Sequence, residues 1–357
     1  MSILFRYLSV QILASVGLTL VGLILLFGFF DFIDELGDTR QEGYTVGLAM
    51  LHVALRLPSI AHESLPIAAL VGALIALARL ALGSEFTVMR ASGLSTRRLV
   101  GYSVTLGIFL GLATLALGEF VAPPAERLAK QVKLRSMGKL VAQEFRSGLW
   151  AKDGKTFINI RQMLPDTSLR GIRMYVFDDR FNLQKVLHAE QGVWSQEGHW
   201  HLQGVNETTL GPEGTRTLTL AETNWQTDVT PDLLSALMVR PERMALTTLY
   251  AYVSHLQENQ QKATLYEIAL WNKLAAPLAV PVMLLLALPF AYYRPRSQNV
   301  GAQVLLGILI GLGFHLLNRL SGNIGLINDW PPAVSALLPL ALFSVAALIT
   351  LRRVELR

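Results

Sequence analysis

The sequence predicts an α-helical membrane protein with six spans, three plus three, and an all-β domain outside the membrane between spans three and four. Three observations lead there. Apolar runs cover roughly Ile12–Phe30, Ile60–Leu82, Leu99–Val121, Leu274–Tyr293, Val300–Leu320 and Ala333–Leu351, each about the 20 residues a helix needs to cross a hydrocarbon core. The 357-residue chain is 52% hydrophobic and only 16% charged, a balance foreign to soluble domains. Between the two blocks of spans, Pro123–Glu267 alternates polar and apolar residues and holds four of the six tryptophans.

The first run has few preceding basic residues and no small-residue cleavage site before Asp31, so it is read as a retained span rather than a signal peptide. It ends at an acidic turn, Asp31 to Gly43. Tyr44–Leu57 has mixed character, and Pro58 and Pro66 are expected to bend the entry to span two. This stretch is expected to lie along the outer interface before descending. Between spans two and three lies GSEFTVMRASGLSTRRL, Gly83–Leu99. Ser84 is expected to cap a short helix over Ser84–Ala91, with Glu85 in its first turn and Gly93 as its stop. Two readings stand for it: an interfacial loop held to acidic lipid by Arg97 and Arg98, or a helix that docks into a partner. The pairs Gly107/Gly111 and Gly307/Gly311 allow close helix approach, read first as packing within the chain.

After span three, Pro123-Pro124 leads into a basic helix, Ala125–Gln143, carrying Arg127, Lys130, Lys133, Arg135 and Lys139. Strand-like runs follow at Thr156–Arg161, Gly171–Phe177, Leu183–Val193, Trp200–Thr208 and Thr215–Ala221. Turn signals such as Asp153-Gly154 and Glu197-Gly198 separate them, as in a sandwich, barrel or jelly roll. Its Trp and Tyr residues are expected to fill the core. Open strand edges are expected within Thr156–Phe177 and Thr215–Trp225. Asp232–Leu237 and Thr247–Gln260 read as helices that return the chain to the membrane.

Charge orients the spans. Arg6, Arg79, Arg90, Arg97, Arg98, Arg294, Arg296, Arg352, Arg353 and Arg357 fall on one side, while the short loops opposite carry Asp31, Asp34, Glu35, Asp38, Glu42 and Asp329 with Arg40 as the one strong base. Short-loop Lys/Arg excess marks the cytoplasmic face. Both termini are therefore expected inside and the β domain outside, and the net charge of +5 is not read as a nucleic-acid footprint.

Ionisable residues at the spans are His62, Glu63, Glu119, Lys273, His315 and Arg319. His315, Asn318, Arg319 and Gly322 share one helix face. That face lines a cavity or bundle interior, or snorkels at the outer interface; both readings stand. No catalytic set is found. A phosphate-binding GxxxxGK[ST] loop is absent, His62-Glu63 lacks the second histidine of a zinc protease, and with no cysteine there is neither a disulfide frame nor a thiolate metal site.

Leu65–Leu99, LPIAALVGALIALARLALGSEFTVMRASGLSTRRL, closely resembles the lipopolysaccharide export permeases of the LptF/LptG (YjgP/YjgQ) family. The core from Glu85 to Gly93 is its most specific part. Gly118-Glu119-Phe120-Val121-Ala122-Pro123 and Gly148-Leu149-Trp150-Ala151-Lys152-Asp153-Gly154 are similar to the G-type branch. The resemblance covers the whole chain. It implies spans one to three over 1–122 with a coupling helix near 84–98, a periplasmic β-jelly-roll-like domain over 123–266, and spans four to six over 267–357. It also implies an inner-membrane subunit that extracts lipopolysaccharide and passes it to a periplasmic jelly-roll bridge. Implied partners are a sister permease of LptF type, an LptB-type ATPase dimer, a single-span LptC-type protein and an LptA-type bridge. ATP and Mg would be used by the ATPase, with no cofactor on this chain.

Glu85 maps onto the coupling-helix acid, with Phe86, Met89 and Arg90 beside it. Family members place lysines at the outer end of span one, where this chain has the acidic Asp31–Asp38. Arg40, Lys130, Lys133, Arg319 and His315 are therefore the candidates for lipid phosphate, or a divalent ion bridges Asp31 or Asp34 to it. The alternative is a membrane-anchored sensor or assembly scaffold whose β domain binds a ligand.

Overall fold

A computed structural model of the chain describes residues 3–40, 43–136, 148–164, 167–195, 197–211, 214–231, 233–234, 240–292 and 300–355. Six helices long and apolar enough to cross a membrane are present. Span one is α1 (Ile3–Leu36), followed by a 3-10 turn at Gly37–Arg40. Span two is α2 (Val46–Leu82), whose start is capped by the Thr45 side chain accepting from the Leu48 amide at 3.4 Å. The mixed stretch before Pro58 is thus the first turns of α2 and not a separate interfacial segment. The helix runs unbroken through Pro58 and Pro66.

The short helix α3 (Glu85–Ala91) follows, then α4 (Thr96–Ala116). Ser84 does not cap α3. It sits at φ 60° with no side-chain bond, acting as a left-handed corner between α2 and α3. Gly93 ends α3 as expected, at φ +96°. Its amide reaches the Arg90 carbonyl at 3.0 Å and the Leu94 amide reaches that of Met89 at 3.1 Å, the paired bonds of a glycine C-cap.

Span three passes from α4 through a π-helical turn, Leu117–Val121, into α5 (Ala122–Ser136). The cause lies in Pro123-Pro124. Neither residue has an N–H for the carbonyl four positions back, and the Ala122 amide bonds Leu117 O, five back. Residues 137–143 of the expected basic helix and most of Asp232–Leu237 lie outside the described residues. The chain returns through a 3-10 turn (Pro241–Arg243) and α6 (Leu246–Glu258) to spans four, five and six: α7 (Thr264–Tyr292), α8 (Val300–Ile327) and α9 (Pro332–Glu355).

Small residues set the packing. A Cβ on Gly72 would lie 2.5 Å from Val16 Cα of α1; on Gly107, 2.6 Å from Pro281 Cα of α7; and on Gly111, 2.3 Å from the Pro277 carbonyl oxygen. Gly307 meets Val71 and Leu74, and Gly311 meets Ile67. Both glycine pairs therefore serve contacts within this chain. Alanines and leucines from Leu65 to Leu80 make α2 the buried centre of the bundle. The outer faces of α1, α8 and α9, with Leu18, Leu25, Leu305, Leu312 and Val345, stay apolar and exposed, as lipid-facing surface requires.

The β domain is one six-stranded antiparallel sheet in sequence order. Its strands are β1 (Leu149–Asp153), β2 (Thr156–Met163), β3 (Leu169–Phe177), β4 (Leu183–Trp194), β5 (Trp200–Gly211) and β6 (Gly214–Trp225). Each strand pairs with its neighbours along the chain, with registers such as Ile158↔Met174 and Ala189↔Val205. Alternate residues Ile158, Ile160, Ile172, Ala189, Leu202 and Val205 bury one face. Trp200 is fully buried beside Trp194 and Trp225, and its indole N–H donates to Val229 O at 2.8 Å. Trp150 departs from the expected aromatic core: it is half exposed and stacks on Tyr175 on the other face. Strand β1 was not foreseen. Because β1 flanks the sheet, Thr156–Phe177 forms interior strands, and only the β6 segment of the two expected edges is an edge.

Candidate functional site

At the end of the bundle where α1 begins and α9 ends, α3 is held by its neighbours. Seven residues make only two turns, so Phe86 and Met89, three apart, face one way and are both buried. The Phe86 ring meets Tyr292 of α7 edge-on at 5.1 Å, and the Arg90 guanidinium lies over the same ring at 5.0 Å. The Tyr292 hydroxyl donates to Thr96 Oγ1 at 3.1 Å. Glu85 points outward and accepts from the Tyr7 hydroxyl of α1 at 2.6 Å. Glu85, Thr87 and Val88 are left exposed, Val88 at 66%. Of the residues expected at this helix, Phe86 and Met89 thus grip their own bundle, Arg90 sits on Tyr292, and Glu85 is presented outward.

At the opposite end, three polar stripes converge. Asp31, Glu35 and Asp38 lie on one face at the end of α1; His52, Arg56, Ser59 and Glu63 on one face of α2; Glu119, Glu126 and Lys133 along span three. These are spacings of three, four or seven residues, which repeat on one side of a helix. Arg56 Nη1 lies 2.6 Å from both carboxylate oxygens of Asp31, and its Nε lies 3.6 Å from Glu126. Glu126, 4% exposed, also accepts from Ser59 Oγ at 3.1 Å and from Arg243 Nη1 at 2.8 Å. Arg243 Nε reaches Glu63 at 3.3 Å. Burial works against the Arg243 charge, yet Glu126, Glu63 and Asp31 outweigh it and hold the group above its ordinary range. Glu35 is shared by the Tyr44 hydroxyl at 2.7 Å, Lys133 at 2.7 Å and His52 at 3.8 Å. Burial, then the Glu35 hydrogen bond, raise the Tyr44 pKa, so its hydroxyl stays a donor.

Glu119 and Lys273 complete this end. The Glu119 oxygens accept from the Leu246 amide at 2.9 and 2.7 Å, and Lys273 Nζ lies 3.3 Å away. Lys273 also donates to the Met244 carbonyl. His62 Nδ1 bonds the Thr114 carbonyl at 3.0 Å, with Gly118 leaving room for its ring.

The lipid-phosphate candidates scatter. Lys133 is engaged by Glu35 and Asp38, both at 2.7 Å. Lys130 is half-buried on α5 with interactions of its own, and the Arg40 side chain lies outside the described residues. Arg319 is exposed on α8, and half-buried His315 stands within electrostatic reach of Arg319 and Glu63. Asp31, Glu35 and Asp38 face Arg56 and Lys133 rather than an open site, while Asp34 is exposed. Among the described residues no group of three or more His, Asp and Glu suits a metal ion.

Known proteins match this chain over nearly its whole length. A family model described as lipopolysaccharide export system permease LptF/LptG matches residues 6–353. The lipopolysaccharide export system permease protein LptG of Escherichia coli K12 is 36% identical over 356 residues, covering 98% of both chains. The LptG protein of Haemophilus influenzae is 33% identical over 341 residues, covering 95% of both. Six apolar helices with an antiparallel sheet between the third and fourth are the fold of that family. On these matches, which run from the first span to the last, the chain belongs to the LptF/LptG family of lipopolysaccharide export permeases.

Proposed function

We propose that this chain is a G-type permease subunit of an ATP-driven lipopolysaccharide exporter in the inner membrane. The observation that carries the reading is α3. Its Phe86 is packed on Tyr292 of α7, Met89 is buried in the bundle core, its acid is braced by α1, and its chain ends continue into α2 and α4. A push on such an element moves four helices. Arginines gather at this end, which the positive-inside rule makes cytoplasmic. The β domain then stands in the periplasm.

The chain has no phosphate-binding loop, so hydrolysis belongs to a partner. An LptB-type ATPase dimer would receive α3 through Glu85, Thr87 and Val88. A sister permease of LptF type would complete the lipid cavity, and LptC- and LptA-type proteins would carry lipid onward. Exposed Arg319, with His315 beside it, and Lys130 are the basic groups proposed to meet lipid phosphate; charge-assisted contacts of this kind strengthen where water is excluded. Lys133 is assigned instead to holding α1 against α5.

The test is Glu85→Lys in the assembled complex, measured as ATPase co-purification and lipopolysaccharide released from proteoliposomes per ATP consumed. Placing a cation where a carboxylate meets a basic groove turns attraction into repulsion. Release per ATP is expected to fall at least tenfold, with Glu85→Ala milder, and a compensating Arg→Glu in the ATPase groove is expected to restore the Lys variant. Normal transport by Glu85→Lys would make α3 a lipid anchor and refute the coupling role.

A further inference from the structure

The segment that leaves the β domain for α6 is gripped by charged side chains from three spans. Residues 240–245, Arg-Pro-Glu-Arg-Met-Ala, contain no glycine. Arg243 is tied to Glu63 of α2 and Glu126 of α5. The next residue, Met244, is buried and gives its carbonyl to Lys273 of α7. Helix α6 then starts without a cap of its own, because Ala245 has no side-chain acceptor. Its first amides would be orphans. Glu119 supplies the acceptor from span three, taking the Leu246 amide with both oxygens and the Thr247 amide at 3.5 Å. The π-helical turn at Leu117–Val121 contains Glu119, so the backbone irregularity and the capping carboxylate coincide.

We infer that Glu119 and Lys273 are positioning residues: with Arg243 they clasp residues 243–247 to spans two, three and four, so that the β domain follows the bundle instead of swinging on a free linker. Lys273 is 6% exposed, and its described partners are Glu119 and the Met244 carbonyl. Detaching the segment leaves a buried ammonium and a carboxylate each short of bonds, an arrangement that proteins avoid. The clasp also lies on the helix that α3 touches. From Tyr292, against Phe86, to Lys273 is a run of α7 about 28 Å long at 1.5 Å per residue. Its Pro277 and Pro281 are braced by Gly111 and Gly107 of α4. Movement imposed at α3 therefore has a continuous packed path to the root of the β domain.

This inference rests on the transport reading above, and the test separates the two. The chain has no cysteine, so nitroxide labels at Thr217→Cys on β6 and Val46→Cys at the start of α2 report the position of the β domain on the bundle. The measurement uses the full chain in complex with cysteine-free partner proteins, comparing nucleotide-free and ATP-vanadate-trapped states by pulsed electron resonance. Wild type is expected to give a narrow distance distribution that shifts on trapping. In Glu119→Gln and Arg243→Gln it should broaden and lose the shift, with lipid released per ATP down roughly five- to tenfold, the low end of typical coupling between sites. Lys273→Arg, which keeps a cation for Glu119 and a donor for Met244 O, should behave as wild type while Lys273→Met does not. Should Glu119→Gln give no folded complex, Arg243→Gln, which lies outside the spans, decides alone. An unchanged narrow distribution with an intact shift in these variants, or no shift in wild type, overturns the clasp. Failure of the wild-type complex to release lipopolysaccharide overturns the transport reading instead, whatever the distances are.

Discussion

Gly111→Ala tests how tightly spans three and four are locked. The added Cβ would lie 2.3 Å from the Pro277 carbonyl oxygen and 3.2 Å from its carbon. Both are backbone atoms, so no side-chain rotation relieves the clash. Carbon and carbonyl oxygen first meet comfortably at ~3.3 Å, so α4 and α7 must part by about 1 Å at this point. Overpacking costs about 1–3 kcal/mol, and a clash with backbone that no rotamer can relieve falls in the upper half of that range, about 2–3 kcal/mol. Replacing a helical glycine by alanine recovers about 1 kcal/mol of backbone entropy. The net is a destabilisation of about 1–2 kcal/mol. Gly101→Ala, ten residues earlier in the same helix, meets nothing within 4 Å and keeps only the favourable part. The two alanine variants are therefore expected to shift stability in opposite directions, a difference of about 2–3 kcal/mol. Thermal unfolding of the detergent-solubilised protein, followed by tryptophan fluorescence, reads this as melting points on opposite sides of wild type. Parting α4 from α7 also loosens the Tyr292 seat of α3, so lipid release per ATP should fall in Gly111→Ala and not in Gly101→Ala. A Gly111→Ala melting point at or above wild type would show that these helices do not meet through their backbones, and the packed path from α3 would fail with it.

Two further outcomes follow from single contacts. Tyr7→Phe removes the hydroxyl that holds Glu85 at 2.6 Å; the contact is exposed, so stability should stay within ~0.5 kcal/mol. Release per ATP should nonetheless fall, and Tyr7→Phe combined with Glu85→Gln should be no worse than Glu85→Gln alone; additive losses would mean that Tyr7 acts elsewhere. In the β domain, hydrogen bonding to Asn224, with help from Glu222, raises the His201 pKa above its ordinary value. A raised folded-state pKa means stabilisation that is complete below the unfolded value of about 6.5 and lost as pH rises through the folded one. Melting points across pH 6–8 should thus decline less in His201→Gln than in wild type. Because the pair is surface-exposed, the difference should shrink in high salt; an identical pH slope in the two proteins would remove His201 from this role.

Much of this fold was legible because the membrane restricts the choices. A run of twenty apolar residues has essentially one use, and all six were readable from hydropathy alone. Five of six strands followed from alternation and turn glycines. Strand β1 escaped because Leu149–Asp153 is five residues long with two charges, too short to show a period of two. Helix lengths were harder. Span two starts at Val46, fourteen residues before its apolar run near Ile60, because His52, Arg56 and Ser59 are polar in sequence but buried or half-buried against acids from elsewhere. Their opposite charges come from Asp31 and Glu126, and one sequence does not reveal which distant groups will neutralise a polar stripe.

The same reason governs the candidate site. At α3 local signals place the helix, since the glycine stop and the amphipathic spacing of Phe86 and Met89 are contained in nine residues, although the expected Ser84 cap is not made. At the β-domain end, each residue taken alone invites the wrong partner. Lys133 reads as a phosphate ligand because it is basic and the outer end of span one is acidic and cannot serve, yet Glu35 and Asp38 engage it. The acidic end of α1, which reads as hostile to phosphate or as a cation site, supplies the counter-charges for Arg56 and Lys133. A periodic reading recovers part of this. Asp31, Glu35 and Asp38 repeat on one face, as do His52, Arg56, Ser59 and Glu63, and as do Glu119, Glu126 and Lys133. Three polar stripes facing inward at one end of a membrane bundle are too costly to leave unpaired, so they must meet one another. Arg243 has no such periodicity. It lies in an irregular segment, and nothing in the sequence marks it until Glu63 is seen to need a cation and Glu126 to share Arg56 with Asp31. Accounting for every buried charge, rather than matching motifs, is what brings this residue into view and with it the link between β domain and spans.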